Sequence, residues 1–137
     1  TRGHLYRSIL EAIALTMKHH VDAMCAELGS SLDEIVVSGG GSSSPLLMQI
    51  FADVFGIPAS RSVGAGGASL GAAICAATAV GIHPDIDTAA ATMARDRESF
   101  TPDPRNNAVY RDMNETIYQH IRDATDPLLE RAYPLFR

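Results

Sequence analysis

A run of three glycines and three serines, Gly39-Gly40-Gly41-Ser42-Ser43-Ser44, closed by Pro45, is the segment whose residue types and spacing point most directly to chemistry. Glycine has no Cβ, so such a run lets the backbone reach positive φ and lets a flat or phosphorylated ligand lie against the main chain. Ser44-Pro45 has the form of an N-cap followed by the first helical residue. A helix starting there adds unsatisfied N–H groups and the positive end of its dipole. The run therefore suits a nucleotide, and it also suits a tight turn packing a helix against a strand, since glycine punctuates most turns. Ser44 can likewise offer its hydroxyl to a ligand or use it to cap its own helix.

Other chemistries can be tested against the letters. A Walker A loop needs Gly-Lys-Ser or Gly-Lys-Thr, and the sole lysine, Lys18, lies far upstream. Gly39, Gly41 and Ser44 approach the dinucleotide pattern Gly-x-Gly-x-x-Gly, but its third glycine is a serine and no acidic residue closes a following strand at the required distance. Ser42, Ser43 and Ser44 do not stand in a nucleophile-elbow frame, and neither Asp53 nor His83 has a triad context. His19 and His20 are adjacent and so point to different faces of a helix, while His4, His83 and His120 lack partners at metal-ligand spacing. No metal site is expected. Asn114-Glu115-Thr116 fits a glycosylation sequon but falls in mid-helix and reads as chance. Gln49 and Asp53, four apart, share a helix face and are expected to pair with each other or with backbone.

The elements that would position the glycine run can be read from periodicity. Leu5, Ile9, Ile13, Met17, Val21, Met24 and Leu28 step by three or four, which predicts one face of a long helix ending near Gly29. Glu34 to Ser38 is β-branched and brief, a buried strand feeding the glycines. Leu46, Ile50 and Val54 continue the next helix to Gly56. A second short strand is expected over 58–63, then a small-residue helix through Leu70, Ile74, Ala77 and Val80 whose Ala and Gly content implies close packing. A short helix over 86–93, an extended segment over 98–101, a turn at Pro102-Asp103-Pro104 and a last helix from Asn107, with a bend at Pro127, complete the pass. This order predicts an α/β layered domain with a small, partly parallel sheet covered by helices.

Composition bounds the rest. With 137 residues, 46% hydrophobic and 20% charged, the chain is expected to form one globular domain. Its net charge of -5 is spread evenly and forms no basic stripe, so nucleic acid is not expected as a partner. Cys25 and Cys75 sit in apolar helical patterns and suggest neither a disulfide framework nor a Cys-x-x-Cys site, which reads as a reducing, cytoplasmic location. The most hydrophobic stretch, 68–82, falls short of the roughly 20 residues that span a bilayer, so no membrane partner is expected. Thr1 and the immediate helix suggest a piece of a longer protein whose further strands lie upstream. Apolar surface left by such strands could support a homo-oligomer through sheet edges.

Several segments together resemble the carboxy-terminal domain of the FGGY family of carbohydrate kinases. His4-Leu5-Tyr6-Arg7-Ser8-Ile9-Leu10-Glu11 resembles the end of that family's second signature. Gly39 to Ser44 with Leu47, Gln49, Ala52 and Asp53 is similar to its adenosine loop and the helix after it. Leu70-Gly71-Ala72-Ala73 with Ala76 and Gly81 matches its small-residue helix, and Phe100, Pro102 and Tyr110 resemble its closing segment. The resemblance implies an actin-like, ribonuclease-H-like ATPase domain with an incomplete sheet, residues 1–137 being the later part of the nucleotide-binding half of a sugar kinase. It implies ATP and Mg²⁺ as cofactors, a sugar or polyol of pentulose-like class as acceptor, and Gly39, Gly40, Gly41, Ser43 and Ser44 as nucleotide contacts. Catalytic and sugar-contacting residues are implied upstream, so that the 137 residues alone would be inert. Gly66 stands where many members carry an acid, which implies a locally altered turn. A non-kinase actin-like nucleotide module and a structural or assembly domain are the competing expectations.

Overall fold

The computed structural model describes residues 1–62, 67–94 and 97–136. Helix α1 (Arg2–Leu28) leads to strand β1 (Ile35–Val36), a 3₁₀ turn (Gly40–Ser43) and helix α2 (Pro45–Phe55). Strand β2 (Ala59–Ser62), helices α3 (Gly67–Ala79) and α4 (Ile86–Met93), and strand β3 (Arg97–Phe100) follow. Helix α5 (Pro104–Met113) then runs through a π-helical turn (Asn114–Tyr118) into α6 (Gln119–Ala132). The sheet has the order β1-β2-β3, with β1 and β2 parallel and β2 and β3 antiparallel. The expected small, partly parallel sheet is what the chain forms.

Helix α2 is central because its residues are apolar almost all round. Leu47, Met48, Ile50, Phe51, Ala52 and Val54 are buried, together with Asp53. A helix buried on every side needs neighbours on every side: Leu10, Ala14 and Leu15 of α1, Ala59 of β2 and Tyr110 of α5 complete the same core. Its ends are defined locally. Ser44 Oγ accepts from Leu47 N at 3.3 Å, Pro45 holds the first position, and Gly56 closes the helix at φ 71°. Substituting Gly56 would also drive a Cβ to 2.7 Å from Asn107 Nδ2.

A single carboxylate fastens α2 to the later part of the chain. Asp53 is buried at 1% exposure, and its Oδ1 accepts from Gln49 Nε2 at 2.9 Å and from Asp103 N at 2.8 Å. Its Oδ2 accepts from Asn106 Nδ2 at 2.9 Å, and its main-chain carbonyl from Asn107 Nδ2 at 2.8 Å. The expected Gln49–Asp53 pair is therefore present, and Gln49 also donates to the Thr101 carbonyl at 2.9 Å. Asp103, besides giving its amide to Asp53, caps α5 by accepting from Arg105 N at 2.8 Å. That cap starts the helix at Pro104, three residues ahead of the Asn107 start expected from its apolar period.

Two tyrosines tie the last helix to α1. Tyr110 donates to Glu11 Oε1 at 2.8 Å and accepts from Arg7 Nη2 at 2.9 Å. Burial, and then the Glu11 carboxylate, hold its phenol above the ordinary tyrosine range. Tyr118 shares a hydrogen bond with Thr16 Oγ1. In an α-helix, residues eight apart drift around the axis, whereas the wider i→i+5 turn at 114–118 slows that rotation and keeps Tyr118 on the face of Tyr110. A π-helical irregularity that the sequence did not indicate falls at Asn114–Tyr118, and Pro127 lies inside α6.

The apolar stripe expected on α1 is not its buried face. Leu5, Ile9, Ile13, Met17, Met24 and Leu28 are exposed, and the helix instead buries Leu10, Ala14 and Leu15. Two faces of α1 therefore carry apolar residues, and the 137 residues cover one of them. The close packing expected of α3 is likewise limited: Ile74 is its sole buried residue, although the helix does pack against α4. Strand β1 lies at an edge of the sheet, with Ile35 N and Val37 N directed to β2. By alternation, the N–H and C=O of Val36 face the open side. The isolated chain is expected to self-associate through these surfaces; light scattering over a rising concentration series should show growth in mass, and a monomer throughout would refute it. Asp53→Ala, which removes the shared acceptor of Gln49, Asp103 and Asn106 and empties a buried position, should lower unfolding free energy by about 1–3 kcal/mol in urea titrations.

Candidate functional site

The glycine run lies between the C-terminal end of β1 and the N-terminus of α2. Two of its three glycines answer different structural demands, and the third answers neither. Gly39 stands at φ 94° and ψ -175°, a conformation closed to residues with a Cβ. Gly41 has ordinary backbone geometry, and a Cβ there would meet Leu47 Cδ2 at 3.3 Å. Gly40 is constrained by neither: its φ is not positive, and an added Cβ would have nothing within 4 Å among the described residues. Positive φ, expected of the run in general, is used once.

Local hydrogen bonds close the turn. Ser42 N donates to the Gly39 carbonyl at 3.1 Å and Ser42 Oγ to the same oxygen at 2.7 Å. Ser44 N donates to the Gly41 carbonyl at 3.1 Å. Ser44 uses its hydroxyl as an acceptor in the α2 cap, one of its two expected roles. Gly39, Gly40, Gly41 and Ser43 are exposed, and Ser44 is half-buried. The chain thus brings the five candidate residues together in one short turn with an open outer side.

A neighbour that the sequence reading missed is Arg61 of β2. Its Nη1 donates to the Ser42 carbonyl, and its Nε and Nη2 donate to Glu98 Oε2 at 2.9 and 2.6 Å. The guanidinium also lies over the Phe100 ring, 5.4 Å from its centre. Strand alternation could have placed Arg61 on the α2 side with Ala59, but nothing in the letters names the turn as its partner. The start of α3 also approaches the site, since a Cβ on Gly67 would fall 3.2 Å from Ser38 Cβ. Gly66 and the altered turn expected there lie outside the described residues.

The remaining candidates do not join this turn. Gly67-Ala68-Ser69-Leu70-Gly71, a Gly-x-Ser-x-Gly spacing that was not among the sequence candidates, places Ser69 inside α3. Among the described residues, no group of three or more His, Cys, Asp or Glu side chains could hold a metal ion. Asp85 is held below the usual carboxylate range by hydrogen bonds from Thr88, where it caps α4. Asn114 of the sequon is buried. Cys25 and Cys75 are free thiols, and no helix among the described residues is long and apolar enough to cross a membrane.

A parallel strand that ends in a glycine turn and feeds a helix, beside a second strand and helix, is an arrangement at which layered α/β domains commonly collect ligands. Comparison with known proteins gives the class a family. The chain belongs to the FGGY family of carbohydrate kinases, whose C-terminal domain model matches residues 1–80. It is 45% identical over 129 residues to an uncharacterized sugar kinase, YgcE, of Escherichia coli, covering 94% of this chain and 26% of that protein. It is 44% identical over 134 residues to a ribulokinase of Mycolicibacterium smegmatis, covering 92% of this chain and 23% of that protein. The crystal structure of xylulose kinase from Rhodospirillum rubrum superposes with a TM-score of 0.72 at 32% identity, covering 95% of this chain and 26% of that one. The chain spans about a quarter of the length of these relatives. Its fold is theirs, the actin-like ATPase fold, here as helices around a small three-stranded sheet.

The different demands on the glycines can be measured. Gly39→Ala should destabilise the chain by about 1–3 kcal/mol, while Gly40→Ala should stay within about 0.5 kcal/mol of wild type. Chemical denaturation of both variants checks this, and equal losses would contradict it.

Proposed function

We propose that residues 1–137 form the adenine-side part of an ATP-dependent carbohydrate kinase, with the nucleotide resting on Gly39, Gly40 and Gly41 beside Ser43 and Ser44. One observation carries this reading to the turn: Gly40 lacks a side chain although neither its backbone conformation nor its packing against the described residues requires that. A position kept bare with open space beside it suits a ligand's flat face lying on the main chain. Family membership supports the rest. The full-length protein transfers the γ-phosphoryl group of ATP to a hydroxyl of a sugar or polyol, of pentulose-like class. Mg²⁺ would accompany the nucleotide and supply neutralisation of phosphate charge; among the described residues no group of three or more His, Cys, Asp or Glu side chains would hold it. Phosphoryl transfer depends on a positioned base and electrostatic clamps acting together; with these lying outside the segment, the segment alone is inert. The cytoplasm is the proposed location.

Titration of Mg·ADP into the chain by calorimetry tests the site. Wild type should bind saturably, and Gly40→Val should weaken binding by at least about tenfold without lowering the melting temperature. Equal affinity in the two proteins, or no heat of binding in wild type, would count against the assignment.

A further inference from the structure

The turn at Gly40–Ser43 is rich in glycine and closed almost wholly by bonds within itself. Ordering such residues is costly, because glycine loses more conformational freedom than any other residue. Among the described residues, one hydrogen bond joins Gly39–Ser43 to another strand, and Arg61 supplies it through the Ser42 carbonyl. Ser42 is the joint of the turn, since its own amide and hydroxyl both hold the Gly39 carbonyl. Fixing its carbonyl from outside therefore fixes the peptide that carries the positive-φ Gly39.

Arg61 is itself held in place. In the antiparallel register it lies directly opposite Glu98, and Ala59 opposite Phe100. Side chains two apart on a strand share a face, so Arg61 and Phe100 stand on the α2 side of the sheet with the core residue Ala59. The Arg61 side chain is 16% exposed, pinned by its Nε and Nη2 both donating to Glu98 Oε2 and lying across Phe100. A guanidinium presents five donors in a rigid fork and can serve a carboxylate and a carbonyl together, whereas an ammonium is one point charge on a flexible stem.

We propose that Arg61, braced by Glu98, is a positioning residue that presets the Gly39–Ser44 turn for nucleotide. This rests on the proposed nucleotide reading of the turn and adds to it a residue that does not touch the ligand. It also makes the order of the turn depend on β3, which carries both Glu98 and Phe100.

Hydrogen exchange and Mg·ADP titration on wild type, Arg61→Ala, Arg61→Lys and Glu98→Gln test it. Arg61→Ala should speed exchange of the Ser42 and Ser44 amides by about tenfold or more while core amides of α2 keep their rates, and should weaken ADP by about tenfold. Arg61→Lys, with charge but no fork, and Glu98→Gln, with a weakened brace, should fall between. Unchanged turn exchange in Arg61→Ala overturns the proposal. So does equal acceleration of turn and α2, which marks general destabilisation. A loosened turn that still binds ADP as tightly as wild type refutes the link to nucleotide. Failure of wild type to bind ADP removes the nucleotide reading itself, and the exchange rates still decide whether Arg61 orders the turn.

Discussion

The buried Asp53 carboxylate is the constraint on which the arrangement turns. A charge taken out of water must be replaced in its hydrogen bonding, and Asp53 draws its donors from three places: its own helix, the link after β3, and the first turn of α5. Those donors can converge only if α2, β3 and α5 stand in one relation to each other. The apolar core around Met48, Ile50 and Val54 supplies the greater share of burial, but apolar packing is tolerant of small shifts whereas this polar cluster is directional. Because α2 starts at the glycine turn and β3 carries the brace for Arg61, the same cluster sets the two elements on either side of the candidate site.

Much of this was legible in the letters, and the reasons differ by element. The Ser44-Pro45 start and Gly56 stop of α2 are local chemistry, and local chemistry survives folding. The strand before the glycines was visible from Ile35, Val36 and Val37, but it is a short edge strand with Val36 exposed and not the buried strand expected; the Gln49–Asp53 pairing followed from a spacing of four. The stripe on α1 was read correctly as a helix and wrongly in its implied burial, because periodicity reports which residues share a face and not which face finds a neighbour. Leu10, Ala14 and Leu15 lie between the stripe positions and are the ones that α2 meets. The π turn left no signal, since it serves to carry Tyr118 back toward Thr16 over a distance that sequence does not encode.

At the site, the letters located the turn and did not separate its glycines. Gly39, Gly40 and Gly41 look alike as symbols, and backbone dihedrals and neighbouring atoms are needed to assign the first to conformation, the third to packing and the second to neither. Arg61 was invisible for a related reason. Its partners, Ser42 and Glu98, lie 19 and 37 residues away in opposite directions, and the parallel and antiparallel pairings that bring them together are properties of the sheet.

The π turn can also be seen as a phase correction in a long lever. Tyr110 engages α1 at Glu11 and Tyr118 engages it again near Ala12 and Thr16, so one helix grips another at two points along its length. A uniform helix could align with one grip and would miss the other. Having both makes the pair resist twisting as well as separation, which leaves α1 a stiff rod whose uncovered apolar side keeps a fixed orientation relative to the sheet.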